Sequence, residues 1–169
     1  GRPVVVCGDD FTIRGGAYTP ASIKKALYAE DLAVDRRVPF VRMLEAGGAS
    51  IAGGTAGGSR GRTGYDWTSP PIMNVQTMRT LSAVPVVSIA LGAVAGFPAG
   101  RLVASHLSIM TKDGSQVLTG GPAVVAHAMK ETLTKEELGS ASVHGRNGMV
   151  DNVADDEVDA LRQAQQFLS

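Results

Sequence analysis

Two glycine-rich turns, each directly after an apolar run, constrain this chain more than any other feature. Residues 38–44 and 84–91 have the length and apolarity of buried strands. The turns that follow read Glu45-Ala46-Gly47-Gly48-Ala49-Ser50-Ile51 and Ala90-Leu91-Gly92-Ala93-Val94-Ala95-Gly96-Phe97-Pro98-Ala99-Gly100. A glycine at a strand end leaves the backbone N–H groups open to approach, so two such turns side by side can hold an anionic oxygen between amides. Chemistry that builds an enolate on a thioester uses that arrangement.

Strands and helices alternate along the chain. Residues 3–7 and 11–13 read as short strands, and Thr19-Pro20 opens a helix with an N-cap and a proline at its first position. Ile23, Ala26, Leu27, Ala29 and Leu32 supply its inward stripe, and residues 34–39 end it. A second unit comprises residues 84–91, a short helix near 98–103, and a strand pair at 107–110 and 116–118. Thr134 and Glu137 spell a capping box, which makes the charged run 130–137 a helix start. Asp155 precedes a terminal amphipathic helix with Val158, Leu161, Ala164 and Leu168 as its apolar stripe. Repeated strand, strand and helix predicts an α/β fold.

The chemistry-bearing residues are sparse. There is no Gly-x-Ser-x-Gly, His-Glu-x-x-His, Cys-x-x-Cys or phosphate loop. His106, His127 and His144 are scattered and read as structural, and Cys7 inside residues 4–7 reads as a small buried hydrophobe. Sixteen Lys and Arg balance sixteen Asp and Glu, so no global field attracts nucleic acid or an anionic membrane. No signal peptide or membrane span is visible, and one cysteine makes no internal disulfide, so a reducing compartment is expected. Residues 52–71, rich in Gly, Ser, Thr and Arg, read as a long loop whose Arg60 and Arg62 are solvated.

A longer set of motifs carries a specific resemblance. Asp9-Asp10-Phe11-Thr12-Ile13-Arg14-Gly15-Gly16-Ala17, the two glycine turns, Gly120-Gly121-Pro122-Ala123-Val124-Val125, and Leu133-Thr134-Lys135-Glu136-Glu137-Leu138-Gly139 with His144 and Gly148 follow in the order of biotin-dependent acyl-CoA carboxyltransferases. The chain resembles the N-terminal crotonase-like domain of the β subunits of propionyl-CoA, methylcrotonyl-CoA and acetyl-CoA type carboxylases. The resemblance covers nearly the whole chain. It implies a crotonase-like ββα superhelix with two roughly perpendicular sheet layers, residues 1–169 forming one domain of a longer chain trimmed at both ends. It also implies transfer of a carboxyl group from carboxybiotin to the α or vinylogous γ carbon of an acyl-CoA. Biotin arrives on a partner domain or subunit, and no metal is needed here. The expected partners are the second carboxyltransferase domain of a neighbouring subunit, a biotin carboxylase and carrier subunit, and further copies in a dimer or hexamer. The expected location is the cytoplasm, or the mitochondrial matrix in a eukaryote.

By the same resemblance the oxyanion donors are the N–H groups of Gly96 and Phe97, with Ala46, Gly47, Gly48, Ala49, Ile51, Ala93 and Val94 around the acyl-CoA. The chain departs from the family pattern at Phe97 (glycine), Ser50 (arginine) and Ala46 (serine). A positive φ at position 97 would strain phenylalanine. The departures imply a different acyl substrate or a paralogue without activity. Two alternatives to the transferase stand: a non-catalytic assembly protein of the same fold, and a CoA hydratase or decarboxylase, for which Glu45 is the one carboxylate near the turns.

Overall fold

The longest apolar run becomes the central strand. β3 (Val86–Ala95) is flanked on one edge by β2 (Phe40–Ala46), which pairs in turn with β1 (Val5–Gly8). Its other edge is divided: Val87 to Ala90 pair with β4 (Leu107–Thr111), and Ala93 to Ala95 with β5 (Gln116–Leu118). β6 (Asn152–Ala154) lies beside β4, and every pairing is parallel. The structure, a computed structural model, describes residues 1–18, 20–48 and 69–169.

Parallel strands need crossovers, and helices supply them. α1 (Pro20–Arg36) joins β1 to β2, and α3 (Phe97–Val103) joins β3 to β4. α2 (Ser69–Ala83) precedes β3, while α4 (Pro122–Met129), α5 (Lys135–Gly139) and α6 (Ala141–Asn147) lie between β5 and β6. The chain ends on α7 (Glu157–Leu168). One sheet face packs Val41, Val87, Ile89 and Ile109 against Ala160 and Ala164 of α7. On the other, Phe40 and Val86 meet Ala33 of α1, and Leu44, Ala90 and Val94 meet Ala99 and Leu102 of α3. Cover on both faces explains the near-continuous apolar runs in the sequence.

Several expectations are corrected. Residues 11–13 are not a strand: Asp10 accepts from the backbone N–H and hydroxyl of Thr12, and a 3₁₀ turn follows at Arg14–Gly16. An aspartate that bonds its own downstream backbone favours a turn over a ladder. The strands at 107–110 and 116–118 do not pair with each other, since both lie on the same edge of β3. Among the described residues there is one six-stranded sheet in place of two perpendicular layers. Ser69 to Pro71, read as loop, already belong to α2, with prolines in the first turn where they break no hydrogen bond. Of the stripe expected on α7, Ala164 and Leu168 do pack against the sheet, together with Ala160, whereas Val158 and Leu161 are exposed, and its cap is Asp156. The Thr134 and Glu137 capping box forms as expected.

The inward stripe of α1 runs Ile23, Ala26, Glu30, Ala33, with a carboxylate in the middle. Glu30 is 1% exposed and binds Arg42 of β2 at 3.2 Å, Arg101 of α3, and the hydroxyl of Thr80 of α2 at 3.0 Å. Arg42 also donates to the carbonyls of Arg101 (3.1 Å) and Ala104 (2.8 Å), fastening the C-terminal end of α3. Removing one member of a buried ion cluster leaves the others uncompensated. We expect Glu30→Ala to lower unfolding free energy by about 3–5 kcal/mol in denaturant titrations. A loss under about 0.5 kcal/mol, the size of an ordinary surface change, would show that the cluster is solvated.

Candidate functional site

The two glycine turns meet. Gly48 has φ +82°, and a Cβ there would lie 2.7 Å from the Ala95 carbonyl oxygen, so only glycine allows this approach. The pairing of β2 with β3 brings this about through a skip in register. Leu44 faces Ala90 and Ala46 faces Val94, so Glu45 alone spans the gap that Leu91, Gly92 and Ala93 span on β3. The Glu45 carboxylate lies over Gly92, within 2.4 Å of where a Cβ would stand. The 3₁₀ turn braces the first loop: Gly47 N–H donates to Gly15 O at 2.9 Å and Tyr18 N–H to Gly48 O at 3.4 Å.

The amides of the second turn are not equivalent. Gly96 N–H donates to Leu118 O at 2.8 Å, as part of the seam between β3 and β5, so it is committed to a protein carbonyl. Phe97 N–H and Gly48 N–H make no backbone hydrogen bond among the described residues. The positive φ of the turn, +67°, falls on Gly96, and Phe97 begins α3 in helical conformation. The strain expected at Phe97 is therefore absent. Its ring is half-buried and meets Tyr18 edge to face, with centroids 6.2 Å apart at 72°. Ala46 and Val94 are fully buried in the sheet, so their side chains face the core; Ala93 is half-buried and Gly47 exposed. Ala49, Ser50, Ile51, Arg60 and Arg62 lie outside the described residues.

Beside Tyr18 lies a pocket of about 250 Å³, whose lining includes Ile23, Leu44 and Met73 together with Cys7, Asp9, Lys25, Arg42 and Arg101. Tyr18 OH accepts from Arg101 at 3.0 Å. Burial raises the Tyr18 phenol above its ordinary range and raises the Cys7 thiol, so both are neutral near pH 7. Burial, with the neighbouring Arg101, brings Arg42 down to about 10. Asp9 accepts from the Glu45 N–H, but its Oδ2 is buried with no partner, and desolvation raises its carboxyl above 3.8. None of Asp9, Tyr18, Glu30, Arg42 or Arg101 was singled out from sequence. One signal was present: Arg42 in the middle of an apolar strand must find a buried anion. Cys7, expected as fully buried, is half-buried at the pocket wall. His144 bonds Val117 O at 2.8 Å and His106 accepts from Val86 N–H at 3.0 Å, both structural, while His127 is exposed.

Among the described residues, no group of three or more His, Cys, Asp or Glu is placed to hold a metal ion, and no helix is long and apolar enough to cross a membrane. The sequence profile of the carboxyl transferase domain matches residues 1–169. The chain belongs to the carboxyl transferase family. It is 29% identical over 169 residues to the biotin-dependent 3-methylcrotonyl-coenzyme A carboxylase beta1 subunit of Mycobacterium tuberculosis, covering 96% of this chain and 30% of that protein. It is 28% identical over 170 residues to the mitochondrial propionyl-CoA carboxylase beta chain of Mus musculus, covering 100% and 30%. The transcarboxylase 12S hexamer, solved with methylmalonyl-coenzyme A and methylmalonic acid bound, superposes with a TM-score of 0.86 at 28% identity, covering 100% of this chain and 31% of that one. The parallel α/β sheet is thus the crotonase-like fold of the carboxyltransferases. The chain spans a little under a third of the length of these relatives.

In this carboxyl transferase domain Asp9 sets a pH dependence. Its folded pKa lies above the ordinary 3.8, so the folded state resists its ionisation. That penalty is absent below 3.8 and complete above the raised value. Asp9→Asn should therefore melt higher than wild type at pH 7, the gap closing as pH falls toward 3.8. Calorimetric melting at a series of pH values measures this, and a gap that widens in acid would refute the assignment.

Proposed function

We propose that this chain is the acyl-CoA-binding domain of a biotin-dependent carboxyltransferase, which moves a carboxyl group from carboxybiotin to an acyl-CoA. The observation that carries this reading is the contact of the Gly48 and Gly96 turns, where the Gly48 and Phe97 amides make no backbone hydrogen bond among the described residues. As the α-carbon loses its proton, charge moves to the thioester oxygen. Two fixed N–H donors at that oxygen stabilise the developing charge, each donor on the order of 3 kcal/mol in comparable sites. Gly96 serves as the hinge of the turn, and its own N–H holds β5 in place.

No acid–base pair of this chain flanks the turns among the described residues: Glu45 lies over Gly92, and Asp9 is turned into the pocket wall. A set of residues that polarises without taking a proton fits a biotin-dependent route. Carboxybiotin, when bound, supplies the carboxyl group and the base. It would be held at the open side of the turns, where Gly47 is exposed and Phe97 half-exposed. The biotin carrier, the second carboxyltransferase domain of a neighbouring copy and a cytoplasmic or matrix location belong to the same proposal. The transferase is preferred over a hydratase because Glu45 packs against the strand and does not stand free beside the turns.

The test is biotin-dependent carboxylation by the assembled carboxylase on a panel of acyl-CoA thioesters. Gly48→Ala places a Cβ 2.7 Å from the Ala95 carbonyl and forces the turns apart. We expect it to lower kcat by about 100-fold or more, the usual cost of a lost oxyanion donor. Its unfolding midpoint should move far less. Parallel losses of activity and stability would favour the assembly protein without catalysis.

A further inference from the structure

We propose that Tyr18 is a positioning residue for the transfer, tying the two glycine turns together so that the Gly48 and Phe97 amides can act on one oxygen. The inference rests on the carboxyl-transfer reading and adds a residue to its machinery. Past the pairing of Ala46 with Val94, no backbone hydrogen bond runs from the first turn to the second among the described residues. Gly48 is in contact with the Ala95 carbonyl, and a van der Waals contact of this kind opposes closer approach far more than it opposes separation. A tie across the gap is needed, and Tyr18 supplies it.

On the side of the first turn, Tyr18 N–H donates to the Gly48 carbonyl at 3.4 Å, and the 3₁₀ turn just before it is fixed to the same loop. Gly47 N–H donates to Gly15 O at 2.9 Å, and Gly16 lies so close to the Glu45 carbonyl oxygen that a Cβ would stand 2.3 Å from it. On the side of the second turn, the Tyr18 ring meets Phe97 edge to face with centroids 6.2 Å apart, and its hydroxyl accepts from Arg101 at 3.0 Å. Phe97 and Arg101 are four residues apart in α3, so they lie on one side of the helix, one turn from each other. The Tyr18 side chain bridges them. Arg101 is held in turn by the buried carboxylate of Glu30, which gives the hydroxyl a fixed anchor. A tilt or slide of α3 that carried the Phe97 amide away from Gly48 would therefore break the ring contact and the hydroxyl contact together.

Carboxylation of a panel of acyl-CoA thioesters by the assembled carboxylase is measured for wild type, Tyr18→Phe, Tyr18→Leu, Phe97→Leu and the double variant Tyr18→Leu with Phe97→Leu, all of which keep every backbone N–H. Donors that act on charge developing in the transition state change kcat and leave substrate binding nearly as it was. We expect Tyr18→Leu to lower kcat by about tenfold with KM within about twofold, and Tyr18→Phe, which keeps the ring against Phe97, to retain part of that rate. Phe97→Leu removes the other ring of the pair and should lower kcat by about threefold or more, while the double variant should lose no more than Tyr18→Leu alone. A kcat that Tyr18→Leu leaves unchanged, a KM that rises as kcat falls, or losses that multiply in the double variant overturn the proposal. If Tyr18→Leu does not assemble, Phe97→Leu decides by the same readings of kcat and KM. If the wild type carboxylates no thioester of the panel, the carboxyl-transfer reading itself fails. Crystal structures of wild type and Tyr18→Leu then decide the tie: Gly48 parted from the Ala95 carbonyl supports it, and Gly48 still against that carbonyl overturns it.

Discussion

The carboxylate of Glu30 is the constraint on which the arrangement of this domain depends. It joins α1, where it resides, to β2 through Arg42, to α3 through Arg101 and to α2 through Thr80. Such a cluster adds little net stability compared with a well-packed apolar one, because desolvation offsets most of the attraction. It fixes geometry more tightly than aliphatic packing does, since charge-assisted hydrogen bonds tolerate little displacement. The geometry it fixes is that of α3. Arg42 holds the carbonyls at the C-terminal end of that helix, and Arg101 and Tyr18 hold its flank, while the N–H of its first residue, Phe97, makes no backbone hydrogen bond among the described residues.

A second constraint comes from the length of β3. Ten residues are too many for one neighbour, so the strand gives its first part to β4 and its last part to β5. On its opposite edge the register skip at Glu45 shortens β2 relative to β3. The skip brings the end of β2 level with the end of β3, although the turns are separated by nearly fifty positions in sequence. Glycine is needed at 48 because the approach leaves no room for a Cβ, and at 96 because the backbone there takes a positive φ. A bulky residue at 97 is compatible with the same turn, since the unusual conformation lies one residue earlier.

What the sequence made legible follows from which interactions are local. The apolar runs located β2 and β3 to within a few residues, the turns between them, α1 and the Thr134 capping box, because strand burial and helix capping are written within a few positions. The Asp10 turn is local too, and it was missed because alternating apolar residues at 11 and 13 imitate a strand. The apolar stripe assigned to α7 is half right: Ala164 and Leu168 pack against the sheet together with Ala160, while Val158 and Leu161 turn to solvent, because the small Ala160 shifts the buried face of the helix. The Glu30 cluster and the Tyr18 pocket are illegible because their members are separated by up to 94 residues, from Cys7 to Arg101, and no periodicity connects them.

The division of labour between the two amides of the second turn follows from the same topology. In a sheet where β5 pairs with the end of β3, the ladder must end somewhere, and the last N–H of the ladder belongs to Gly96. The next residue opens a helix, where first-turn N–H groups have no partner by construction. Pro98 has no N–H, so Phe97 is the last amide of the turn that can reach outward. On the proposed reading a second donor, from another segment, would stabilise an oxyanion better than one alone. Gly48 closes on the Ala95 carbonyl at the end of β3, and its N–H makes no backbone hydrogen bond among the described residues. The meeting of the two turns is thus a product of strand register, set at Glu45, 52 positions before Phe97.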